Sequence, residues 1–140
     1  MEYVSKALRA KVAAAAHYRC EYRQTAQEIS GAPMNIEHII PLARGGSSRT
    51  NNLCLACAWC NSYKWAKTSG SDPQSKVEVA LFHPCQQKWQ EHFQWSKDGI
   101  YISGLTAVGR ATVDALKMNN EFIVPARQHW VEAGWHPPQM

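Results

Sequence analysis

Long apolar runs are absent. Nowhere does the chain hold the ~20 consecutive apolar residues that a membrane span requires, and the tract Ala13–Ala16 follows a stretch broken by Lys6, Arg9 and Lys11. The same stretch lacks the apolar centre of an export signal, so a cytoplasmic protein with no membrane partner is expected. An even set of cysteines is also missing. The five cysteines are an odd number, and Cys54, Cys57 and Cys60 crowd together in "CLACAWC", which excludes a simple disulfide framework and points to reduced thiols. Internal repeats are absent as well, which removes solenoids from consideration. What remains is ordinary for a folded protein: 45% hydrophobic residues and six tryptophans supply the apolar surface for a real core. A length of 140 residues fits one domain. The net charge of +4 is compatible with a polyanionic partner without requiring one.

Along the chain, Leu8, Val12 and Ala15/Ala16 recur at helical spacing, predicting a helix from Val4 to about Arg19 with Ser5 as its cap. "SGAP" interrupts, "MNIEHII" reads as a short strand ended by Pro41, and "RGGSSRTNN" reads as a loop. "LCLAC" reads as a second strand and "AWCNSYKWAK" as a helix, giving the order strand, loop, strand, helix. "TSGSDPQSK" is expected to be a loop. "VALFHP" and "WQEHFQWS" are expected to be strands, the latter alternating Trp89, Glu91, Phe93 and Trp95 on one face. At period two these tryptophans suit a core better than base stacking. The turn at Lys97–Gly99 then leads into "IYIS" as a hairpin, a helix follows the cap at Thr106, and Pro125 to Gly134 bound a last helix. His83, His92, His129 and His136 suggest packing or exposure rather than chemistry.

The segments "CEYR", "IEHIIPLARGGSSRTNNLCLACAWCNSYK" and "GLTAVGRAT" together resemble the HNH endonuclease family, the last being similar to an extension in one bacterial branch of it. Specificity lies in the combination of Glu-His-Ile-x-Pro, the Gly-Gly turn, Asn-Leu and Cys-x-x-Cys-Asn-x-x-Lys in the family's order. The resemblance implies an α+β fold with a ββα-metal (His-Me finger) core at about 20–67. An N-terminal helix would precede this core, and a β-hairpin plus two-helix extension would follow at about 76–135, all in one domain. It implies hydrolysis of phosphodiester bonds, most simply in double-stranded DNA, with His38 deprotonating water and Asn52 bracing the loop. Glu37 and Asn61 would hold a divalent cation, Mg²⁺ first and Mn²⁺ second, while Arg44 and Lys64 would contact phosphate. Neighbours on a strand point to opposite faces, so Glu37 and His38 converge only if the backbone bends at or after His38. The alternative function is an inactive nucleic-acid-binding module on the same fold.

Three departures from the family pattern stand out. Glu37 replaces the more usual aspartate, and Asn61 replaces a frequent histidine. Many members also bind structural zinc through two Cys-x-x-Cys pairs; here Cys57 and Cys60 are intact, but Cys20 is followed by Arg23, which cannot ligate zinc. A four-cysteine site would need a substitute donor such as Cys54, His17 or Cys85. Without zinc, Cys20, Cys57 and Cys60 are expected to act as small buried hydrophobes.

Overall fold

The structure is a computed structural model that describes residues 4–139. It contains two compact units: the chain up to Thr68 together with His83–Gln87, and Ser69–Phe82 together with the chain from Lys88. Helices and small antiparallel sheets make the fold α+β. None of the described helices is long and apolar enough to cross a membrane.

In the first unit, helix α1 (Lys6–Ala15) starts where the Ser5 side chain accepts the Leu8 N–H at 3.1 Å. It stops four residues before the expected end, because His17 and Tyr18 take positive φ angles. Cys20 and Thr25 then close a tight turn, Cys20 N–H donating to the Thr25 carbonyl. A short helix α2 (Gln27–Ser30), not foreseen in the sequence, precedes strand β1 (Asn35–His38). β1 pairs antiparallel with β2 (Leu53–Ala56) in the register Glu37↔Cys54 and His38↔Leu53. Val4 and Val12 on the α1 side meet Leu53, with Leu8 and Ile36 against them, so the helix covers the hairpin with its apolar stripe. Helix α3 (Ala58–Lys64) follows, its first turn capped by the Cys57 sulfur, which accepts the Cys60 N–H at 3.4 Å.

The loop from Pro41 to Asn52 carries two 3₁₀ turns, Leu42–Arg44 and Thr50–Asn52. Its fold depends on Gly46, where an added Cβ would lie 1.8 Å from the Ile40 carbonyl oxygen. No side chain fits so close to backbone, which is the physical reason for the second glycine of the Gly-Gly turn.

The second unit differs from its sequence reading in two places. The segment expected to be a loop contains strand β3 (Ser69–Ser71), which pairs in a hairpin with β4 (Glu78–Ala80); β4 takes in only the first two residues of the expected strand "VALFHP", and Leu81 to Pro84 are not strand. Asp72 in its turn is fully buried, accepting from Gln74, Ser75 and the Arg110 guanidinium, at 2.9 and 3.0 Å for the last. The expected strand from Trp89 begins instead as helix α4 (Trp89–His92) and becomes β5 only at Phe93–Trp95. The helical turn brings Trp89 onto Phe93, with ring centroids 5.2 Å apart, and buries both. β5 pairs with β6 (Ile102–Gly104), matching the expected hairpin. Helix α5 (Ala107–Ala115) starts where Thr106 accepts the Gly109 N–H. It lies so near the preceding backbone that a Cβ on Gly109 would meet the His92 carbonyl at 2.0 Å. Helix α6 (Ile123–Glu132) places Pro125 at its third residue, where no intrahelical N–H is lost.

Candidate active site

His38 ends β1 half-buried, with its Nε2 2.8 Å from the Ser48 hydroxyl. Behind it, buried Asn52 holds the loop shut: its Oδ1 accepts the Ile40 N–H, and its Nδ2 donates to the carbonyls of Ile40 and Ser47 at 3.0 and 2.8 Å. The Asn52 carbonyl also accepts the Ile39 N–H. The two residues after His38 are thus tied to one asparagine, which saturates every polar atom of that amide group with backbone.

Glu37 lies on the other side of the strand. The ladder stays regular through the His38↔Leu53 pair, so the bend that convergence of Glu37 and His38 requires is not found at His38. Glu37 is 6% exposed and meets its cross-strand partner directly: Cys54 donates to Oε2 at 3.5 Å, and the Tyr22 hydroxyl bonds the same carboxylate. Its Oε1 lies 3.1 Å from the Lys64 ammonium. Burial pushes the Glu37 pKa up, and the Lys64 charge opposes that rise.

Lys64 is the largest departure from the sequence reading. Expected as an outward phosphate contact, it is 1% exposed, and its ammonium donates to the Ile39 carbonyl at 2.7 Å besides pairing with Glu37. The helix geometry explains this: α3 packs on β1, and the flexible lysine stem crosses the apolar contact to reach the two oxygens. One ammonium therefore grips the residues on both sides of His38. Asn61, one turn earlier on α3, is half-buried, and its side-chain amide has no protein partner among the described residues. Arg44 is exposed at the end of its 3₁₀ turn, as a phosphate contact would be.

A divalent cation at Glu37 does not fit this arrangement. One carboxylate oxygen already faces an ammonium, the other accepts from a thiol, and almost none of the group meets solvent. A four-cysteine zinc site does not fit either. Cys20, Cys57 and Cys60 are buried with their sulfurs within 4.8 Å of one another, a compact set of three soft donors. Arg23, in the fourth position, is 5% exposed and cannot ligate. The substitute donors lie elsewhere: Cys54 turns to Glu37, Cys85 donates to the carbonyls of Thr50 and Leu53, and His17 is exposed. Hydrogen bonds from Cys20 and Cys60 draw the Cys57 thiol well below its ordinary range, with Arg23 acting in the same direction, while burial pushes Cys20 up.

The surface of the first unit is more basic than its composition. Lys6, Arg9, Lys11, Arg44, Arg49 and Lys67 are exposed, whereas Glu28 is the one exposed carboxylate among its described residues. Glu37 is buried, and Glu21 turns inward to accept the Leu55 N–H at 2.7 Å, burial raising its pKa to about 7. Sequence reasoning passed over Ser48, Tyr22 and the Ile39 carbonyl. Only Cys54 had a usable signal, since pairing "IEHI" with "LCLA" sets it opposite Glu37. It also passed over Trp65, which is 81% exposed beside the site helix at a positive φ of 45°.

No curated protein and no solved structure matches the chain. Residues 20–76 do match the HNH endonuclease family model, a span that holds His38, its Asn52-braced loop and all of α3, so that segment is similar to the HNH endonuclease family.

Proposed function

We propose that the chain is an endonuclease that hydrolyses phosphodiester bonds of double-stranded DNA, with His38 taking the proton from the attacking water. The family implies nuclease action on nucleic acid. The observation that carries the reading further is the fixing of His38, a half-exposed imidazole on a strand tied by Asn52 on one side and Lys64 on the other. A base held this way loses little freedom on reaching a near-attack geometry. Ser48, at 2.8 Å, orients the ring through Nε2 and must exchange that bond, or use the other nitrogen, when the base works. The six outward cations offer the phosphate backbone a complementary surface, with Arg44 on the loop that Asn52 closes. HNH nucleases generally use divalent metals, which offset phosphate charge; Mg²⁺ is the first choice here and Mn²⁺ the second.

Nicking of supercoiled plasmid tests the proposal. We expect relaxation with Mg²⁺ or Mn²⁺ that stops in chelator, and a rate about 10²–10⁴-fold lower for His38→Ala with DNA affinity retained. A fully active His38→Ala would remove the assigned base. Inactivity of the wild-type protein with every cation, on single- and double-stranded DNA alike, would favour the binding-module alternative.

A further inference from the structure

Helix α3 ends on a tryptophan where its geometry suits glycine. Trp65 caps the helix at φ 45° and ψ −115°, and Lys67 N–H donates to the Lys64 carbonyl at 2.8 Å, which closes a tight turn with Trp65 as its second residue. These angles are those of the second residue of a type II′ turn, a place that glycine takes freely and a residue with a Cβ takes only under strain. The side chain gains little inside the fold. It is 81% exposed, and among the described residues its ring has no aromatic or hydrogen-bonding partner, whereas Trp59 and Tyr63 on the same helix stack with centroids 5.8 Å apart. The indole thus weakens the fold twice, through the backbone it strains and through the apolar surface it leaves in water.

The charges of this surface indicate the occupant. Lys67, two residues on, is exposed, and the exposed ionic groups among the described residues of this unit are six cations against one carboxylate, which repels basic partners and collects phosphate. A flat π face beside cations binds nucleotides by stacking, because every base offers a face and every nucleotide a phosphate. Bases inside a duplex have both faces covered by their neighbours, so an indole selects a base that has left the stack. We infer that Trp65 is a stacking platform for an unpaired nucleobase, so that duplex DNA carrying an unpaired nucleotide is preferred to continuous duplex. The platform is tied to the strand of the proposed general base, since it follows Lys64, whose ammonium bonds the Ile39 carbonyl next to His38. The inference rests on the proposed function for its choice of DNA, and it is measured by binding without cleavage.

Fluorescence anisotropy without divalent metal compares a labelled duplex carrying a one-nucleotide bulge with the same duplex lacking it. The full wild-type chain should prefer the bulged duplex. Trp65→Gly should bind that duplex about five- to a hundredfold more weakly, the effect of losing one stacked base, with little change on continuous duplex. The same variant should melt at a higher temperature than the wild type, because glycine relieves the turn. Weaker binding joined to greater stability separates a binding residue from a structural one. Trp65→Phe keeps a ring and should keep part of the preference, whereas Trp65→Leu keeps only apolar bulk and should lose it. A fluorescent adenine analogue in the bulge should be quenched by the wild type and not by Trp65→Gly. Equal binding of the two duplexes by the wild type, unchanged affinity or lower stability in Trp65→Gly, or a preference that survives Trp65→Leu would overturn the inference and leave the nuclease reading standing. A dimer in sedimentation that Trp65→Gly dissolves, with DNA binding unchanged, would overturn it in favour of a second copy of the chain. Bulge preference that depends on Trp65, without nicking under any cation, would keep the inference and remove the nuclease reading, whereas no binding to any DNA would remove both.

Discussion

Among the described residues each unit buries one long cation completely, and the two are held by different chemistry. Arg127 in the second unit is fully buried, donating to the carbonyls of Ile100 and Met118 and to Asn119 Oδ1 at 2.7–3.0 Å, with its guanidinium 5.2 Å from the Trp95 ring centroid. Lys64 in the first unit has a carboxylate and one carbonyl. A planar fork spread over three neutral oxygens and an aromatic face fixes several backbone segments at once, and no other ion reproduces that geometry. A spherical ammonium on a flexible stem is a point charge that holds its partners without fixing a plane. The same act of burying a cation therefore joins several backbone segments in one unit and ties a carboxylate to a neighbouring carbonyl in the other.

The largest effect should come from breaking the joint in the second unit. Arg127→Met removes the donor to the Ile100 and Met118 carbonyls and leaves Asn119 Oδ1 with the Ile102 N–H alone, and we expect a loss of about 3–5 kcal/mol in thermal or urea denaturation. A variant as stable as the wild type would dissolve the contrast drawn above.

Acid should act on the second unit next. His136 is 5% exposed, with its ring centroid 4.4 Å from that of Trp95 and 5.9 Å from that of Trp130. Burial, aided by the Arg127 charge, lowers its pKa from 6.5 to about 4. The unfolded chain binds this proton first, so the contribution of neutral His136 is intact above pH 6.5 and is lost as the pH falls toward about 4. Urea melts followed by tryptophan fluorescence at about pH 7 and about pH 4.5 should differ more for the wild type than for His136→Phe. Equal differences would show that another group sets the acid response.

The smallest effect concerns charge at the surface. Arg44→Ala should weaken DNA binding a few-fold and reduce the salt slope by about 0.9, the value for one phosphate contact. Lys97→Ala, an exposed change in the second unit, should leave both unchanged. Matching losses from the two variants would mean that the basic surface of the first unit is not the DNA-binding face.

The strand, loop, strand, helix order was legible because apolar runs, Pro41 and the Gly-Gly turn mark its limits directly. Helix α4 was not, since Trp89 and Phe93 satisfy both alternation and the i, i+4 spacing, and only packing decides between them. Strand β3 is Ser-Gly-Ser, with no side chain that favours a strand; its partner β4 and the Arg110–Asp72 pair make it one. Within the site, the loop-bracing amide of Asn52 was readable from its place in the motif, and its hydrogen bonds are those of a brace. The burial of Lys64 was not readable. A lysine on a short helix reads as surface until the strand it faces supplies a carboxylate, and that pairing exists only in three dimensions.

The inward turn of Glu21 and Glu37 has a kinetic side. A formal charge of +4 is a sum over all residues, but an approaching polyanion responds to the charges that face it. The first unit holds nine lysines and arginines against four carboxylates, the second six against seven, so the net positive charge belongs to the first alone. With two of those four carboxylates withdrawn from its surface, the unit presents a field that steers encounter from a distance of about one Debye length, ~8 Å at physiological salt. Folding thus sets the field that an approaching polyanion meets, by choosing which charges the solvent sees.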